Sequence, residues 1–125
     1  MATKVAIILQ AGPGSHENHA RMFHSLLYSK ELHEKGNEVR LVFDGASTEW
    51  LAKWGNPEDQ DDRMMGGFFN QLKQAGLTYA VCDFCSGAFK VHDKLKAQGE
   101  PLVAQYMNHP SVAELVDEGF QVWIL

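Results

Sequence analysis

Cysteine is scarce in this chain, with two among 125 residues, and both fall in the run Cys82-Asp83-Phe84-Cys85. Positive charge is also in short supply. Eleven basic against sixteen acidic residues give a net charge of −5, which argues against a nucleic-acid or anionic-membrane surface. Long apolar runs are missing near the start, where Val5–Leu9 is too short for a signal-peptide core or a bilayer span. The expectation is a cytoplasmic protein with no nucleic-acid and no membrane partner. In that reducing setting a close cysteine pair suggests catalysis, redox chemistry or metal binding rather than a structural staple. Internal repeats and low-complexity tracts are absent too, so residues 1–125 read as one domain, long enough to bury a core without staples.

What is present alternates regularly. Val5–Leu9 is an unbroken apolar run closed by Gly12-Pro13-Gly14, which suits a strand covered on both faces. Ser15 can cap a helix to about Lys35, with Ala20, Phe23, Leu26 and Leu27 inward and Gly36 closing it. Val39–Phe43 is a second strand, ended by Asp44-Gly45. A short helix capped by Ser47 or Thr48 follows, then an acidic loop from Asn56 to Asp62. A third helix over about Arg63–Ala75 carries Met64, Phe68, Leu72 and Ala75 on one stripe, widened by Met65 and Phe69. Gly66-Gly67 should weaken it by about 1 kcal/mol per glycine.

Tyr79-Ala80-Val81 reads as a buried strand. The spacing of Phe84, Ala88, Val91 and Leu95 predicts a helix stopped by Gly99. Leu102–Tyr106 reads as a short strand, Ser111-Val112-Ala113-Glu114 as a capping box, and Phe120–Leu125 as a last strand. Strands alternating with helices predict a three-layer α/β fold around a parallel sheet.

The thiols therefore fall on a strand-to-helix turn, where open backbone N–H groups favour negative charge and a thiolate can be nucleophilic near neutral pH. With Asp83 as the N-cap, Cys85 sits near the second helical position, close to those donors. A neighbouring carboxylate works in the opposite direction. Cys82 ends an apolar strand, a position that core packing also explains. His109 precedes Pro110, so it should be extended, in the loop after the fourth strand at the edge where α/β ligands bind. Cys85, Cys82 and His109 are the catalytic candidates.

Gly12, Gly14, Ser15 and His16 occupy the place of a phosphate-binding loop but lack the Lys and the glycine spacing of one, so a simple glycine turn accounts for them as well. With Asp44 they are the candidate binding residues of the strand-end crevice. No metal and no cofactor are expected. A structural zinc site needs four ligands, and this chain has no second Cys-x-x-Cys and no His-x-x-x-His. His92, about 10 Å along a continuous helix from Cys85, should not share an ion with it.

Taken together, the opening strand with its Gly-rich turn, the run Val81-Cys82-Asp83-Phe84-Cys85 and the ending Glu118-Gly119-Phe120-Gln121-Val122-Trp123-Ile124 resemble the DsrE/DsrF-like family of small sulfur-metabolism proteins. The resemblance implies a five-stranded parallel sheet in the order 4-3-2-1-5, assembled into homo- or hetero-oligomers, often trimers or hexamers. It also implies a cysteine at this turn that carries sulfur as a persulfide, Cys85 or Cys82 here, served by sulfur donor and acceptor partners. In that order the fourth strand neighbours the third, bringing His109 toward the thiols to orient or deprotonate one. Right-handed crossovers would leave one face covered only by the helix at Val112–Glu118, so self-association is expected through that face or the Met64–Phe69 stripe. Two other readings remain: a non-catalytic oligomeric binding module, and a Cys-x-x-Cys dithiol redox protein.

Overall fold

The structure is a computed structural model that describes residues 2–125. Its strands are β1 (Lys4–Leu9), β2 (Glu38–Phe43), β3 (Thr78–Cys82), β4 (Leu102–Val103) and β5 (Gln121–Ile124). All pair in parallel, in the order β4-β3-β2-β1-β5. Between them run α1 (His16–Glu34), α2 (Thr48–Gly55, entered through a 3-10 turn at Gly45–Ser47), α3 (Gln60–Gln74), α4 (Asp83–Ala88), α5 (His92–Ala97) and α6 (Val112–Asp117). The α/β architecture and the strand order are those expected. The register sets Leu9 beside Phe43, Phe43 beside Val81, and Cys82 beside Val103. Four strands therefore end together at one edge.

Period-two alternation divides the sheet residues between two unequal cores. Val5, Ile7 and Leu9 of β1 join Val39, Leu41 and Phe43 of β2 under α1, α2, α3 and α5, through Met22, Leu26, Trp50, Leu51, Met65, Phe69, Leu72 and Leu95. On the opposite face Ala6, Ile8 and Val42 meet Leu115 of α6 and Phe120, with half-buried Val122 beside them. This is the asymmetry that right-handed crossovers impose on this strand order. Beside α6 the thin face opens into a groove of about 380 Å³, lined in part by Arg40, Thr78, Val103 and Glu114.

Several local boundaries differ from expectation, each for a physical reason. α3 begins at Gln60 rather than Arg63, because Asp59 accepts from the Asp62 amide as N-cap and Asp61 and Asp62 complement the helix dipole. The acidic run is thus partly helix start rather than loop. Met64 points outward at 55% exposure, while Met65 and Phe69 are buried. Gly66 lets α3 approach α2, since a Cβ there would lie 2.9 Å from the Trp54 Cβ. In α1 the buried residues are Met22, Ser25, Leu26 and Ser29, whereas Leu27 and Ala20 are exposed. Strand β4 is only two residues long, because the chain leaves the sheet after Val103 to form a tight turn over the thiols.

The predicted helix from Phe84 through Leu95 is two helices. α4 ends in a Schellman motif, with the Val91 amide donating to the Ser86 carbonyl and the Lys90 amide to Gly87. Lys90 takes the left-handed conformation usually given to glycine, with φ of 64°. The apolar spacing fits one helix or two, so it did not reveal the break. Gly99 does close α5, at φ of 77°.

Candidate functional site

The turn from β3 into α4 has no intervening residue. Cys82, not Asp83, is the N-cap: the Cys85 N–H donates to its Sγ at 3.3 Å. Cys85 therefore sits at the third helical position rather than the second. The two thiols are unequal. Cys82 has no solvent exposure, while Cys85 is half-buried. Burial pushes the Cys82 thiol up to about 12; the Cys85 amide opposes this more weakly, and the neighbouring Cys85 and Asp44 add to the rise. Cys82 is a resident thiol, not a thiolate.

Three other segments converge on the pair. The Cys85 thiol donates to Asp44 Oδ1 at 3.5 Å, and Gln10 Nε2 donates to the other Asp44 oxygen at 3.1 Å. Asp44 and Gln10 directly follow β2 and β1, so the aligned strand ends deliver both. A ring nitrogen of His109 and the two sulfurs all lie within 4.8 Å of one another. His109 is held by a two-residue turn, Tyr106–His109, whose ends pair as an antiparallel bridge. Met107 and Asn108 in that turn both have positive φ, 46° and 64°. That is the type I′ pattern, easy for Asn and strained for Met. The Phe84 N–H donates to the Asn108 carbonyl, and the Phe84 ring stacks on His109 at 4.8 Å. Phe84 therefore serves the site instead of the core, and is 52% exposed.

The His109 Nδ1 lies 2.6 Å from the Met107 carbonyl, to which it donates, leaving the lone pair on Nε2. His92 Nε2 reaches Asp83 Oδ1 at 2.9 Å across the break between α4 and α5. The break brings His92 back to the Cys turn, though to its carboxylate and not to a sulfur.

The other predicted residues are spread along the neighbouring turn. Gly12 packs on the 3-10 turn, where a Cβ would lie 2.5 Å from the Ala46 carbonyl oxygen. Gly14 lines a separate cavity of about 410 Å³ with Lys53, Asp62 and Lys94. Ser15 Oγ accepts from the Asn18 amide at 3.1 Å, and His16 opens α1, exposed. None of these four is among the groups gathered at the thiols. Asp44 is gathered there, as the acceptor for the Cys85 thiol. Sequence reading did not foresee Gln10 or the Met107-Asn108 turn. Asn108 was the one available signal, being a residue that tolerates positive φ.

Fold and site together define a small α/β protein built on a parallel sheet, with a buried and an accessible cysteine at the strand C-termini. The chain belongs to the DsrE/DsrF-like family, whose profile it matches over residues 3–123. It is 26% identical over 101 residues to an uncharacterized protein of Methanocaldococcus jannaschii, covering 81% of this chain and 77% of that one. The same fold occurs in a conserved protein of unknown function from Bacteroides thetaiotaomicron. That structure superposes with a TM-score of 0.60 at 14% identity, covering 96% of this chain and 94% of the other. Among the described residues, no helix is long and apolar enough to cross a membrane.

Proposed function

We propose that this protein accepts sulfane sulfur on Cys85, holds it as a persulfide and passes it to an acceptor thiol. The observation that carries the reading is the inequality of the two thiols. An accessible Cys85 meets the donor, while a buried Cys82 stays protonated. With thiosulfate as donor, the Cys85 thiolate attacks the outer sulfur, the S–S bond to sulfite breaks, and sulfite leaves with the electron pair. The acceptor thiolate then takes the terminal sulfur, and Cys85 regains its thiolate. Asp44 orients the thiol, and the His109 lone pair receives its proton.

The high value for Cys82 protects the product. Attack by Cys82 on the persulfide would form the Cys82–Cys85 disulfide and release hydrogen sulfide. That attack needs a Cys82 thiolate, which burial of the sulfur disfavours. A carrier is favoured over a dithiol redox protein on this ground. The partners are a sulfur donor and an acceptor protein, and the thin sheet face beside α6 is the surface for a second copy.

Intact mass after incubation with thiosulfate or polysulfide tests the reading. The expected result is a reductant-sensitive gain of one sulfur in wild type and Cys82→Ser, and none in Cys85→Ser. A loss of two hydrogens requiring both cysteines would replace it with dithiol chemistry. No change in wild type, with both thiols resisting alkylation, would leave the binding-module reading in its place.

A further inference from the structure

We propose that Cys82, Cys85 and His109 form a binding site for a zinc-type transition-metal ion, with the Asp44 carboxylate beside the Cys85 sulfur. The inference stands on geometry and does not rest on the sulfur-carrier reading. Two sulfurs and one ring nitrogen lie within 4.8 Å of one another. Tetrahedral zinc, with bonds of about 2.3 Å to sulfur and 2.0–2.1 Å to nitrogen, holds its ligand atoms roughly 3.5–3.8 Å apart. Side-chain rotation of about 1 Å closes the set.

The surroundings are those a metal site requires. A ligating histidine usually donates its other ring N–H to a carbonyl or carboxylate, which fixes the tautomer and ring plane. In His109 the Nδ1–H donates to the Met107 carbonyl 2.6 Å away, which leaves the Nε2 lone pair for an ion. The ring is further held by stacking on Phe84. The Cys82 sulfur already accepts the Cys85 N–H, a bond that strengthens when the sulfur becomes anionic. Asp83, the other carboxylate at the turn, is engaged by His92 2.9 Å away and so is not competing for the ion. The strained turn at Met107 keeps His109 over both sulfurs, although proton transfer from Cys85 requires proximity to only one.

Charges balance. A divalent ion displaces one proton from each thiol, and two thiolates with a neutral imidazole leave the centre uncharged. With Cys85 as a ligand, its sulfur is not free to attack a donor, so ion and persulfide are alternative occupants of the site.

The test is a titration of the reduced full chain, stripped of metal by chelator, with Co²⁺ as a spectroscopic probe and Zn²⁺ against a chromophoric chelator. Expected are one ion per chain, a thiolate-to-cobalt charge-transfer band with tetrahedral ligand-field intensity, and release of two protons per ion. His109→Ala, a change in a surface turn, should weaken Zn²⁺ binding about tenfold or more while the circular dichroism stays unchanged. Cys85→Ser should remove about half of the charge-transfer intensity. The proposal is overturned if wild type shows no charge-transfer band, or if His109→Ala binds as tightly as wild type, which would reduce the site to a bare thiol pair. No sulfur donor is present in the titration, so its result is independent of the loading experiment.

Discussion

Two strand-to-helix turns lie at the same sheet edge and use their open amides differently. After β1, the chain takes Gly12-Pro13-Gly14 before Ser15 caps a nineteen-residue helix with its hydroxyl. After β3 there is no linker, and Cys82 caps a six-residue helix with a sulfur. The first turn is a packing device, pressed onto Ala46 and closed by an oxygen acceptor suited to the task. In the second, a weaker acceptor does the capping, and a carboxylate and an imidazole are drawn in around it. A capping position that would ordinarily stabilise a helix is filled here by a group with its own chemistry.

Substitutions at each turn can break or sharpen that contrast. The largest effect is expected at Gly12→Val, where the new side chain meets the Ala46 carbonyl and cannot be accommodated by a flexible neighbour. A loss of about 3 kcal/mol in urea unfolding is expected. A loss near zero would mean that Gly12 is not packed on the 3-10 turn at Ala46 as described. Cys82→Ala should remove a buried sulfur and a cap, costing about 2 kcal/mol. Sulfur loading on Cys85 should survive, as read by intact mass. Ser15→Ala should cost about 1 kcal/mol with loading unchanged; a fall in loading would bring the first turn into the site.

The effect that is smallest near neutral pH is a pH dependence. The folded Cys82 thiol, raised to about 12, holds its proton while the unfolded thiol releases it near its ordinary value. The unfolded state therefore binds fewer protons above about pH 8.5, and stability falls as pH rises toward 12. Cys82→Ser should flatten that alkaline decline relative to wild type. An unchanged slope would place the thiol in a more open setting than the turn shows.

Much of this arrangement was legible in the sequence, for identifiable reasons. Unbroken apolar runs marked strands covered on both faces, and Gly36 and Gly99 marked helix stops, each with positive φ. The parallel order placed His109 over the thiols. Resemblance supplied that order, and alternation alone would have left others open. Backbone choices made by residues of neutral reputation were hidden: Lys90 ending a helix in the left-handed region, Met107 in a I′ turn, and Cys82 as a cap. The Asp83–His92 bond and the Phe84–His109 stack that accompany them join residues well apart in the chain, which no local spacing encodes. Asp44 was placed in the crevice, but its hydrogen bond to Cys85 required the register of β2 against β3.

The strand order also bears on how the chain is made. Strand β1 pairs on one side with β2, which follows it closely, and on the other with β5, which is synthesised after the other four strands of the sheet. At ribosomal speeds of about 5–20 residues per second, the outer edge of Lys4–Leu9 waits roughly 6–22 s for its neighbour. Its sequence, Val-Ala-Ile-Ile-Leu after a single lysine, is the kind of strand that readily pairs with other chains when left open. The nascent polypeptide therefore carries an aggregation hazard at this edge until Gln121–Ile124 emerges and docks.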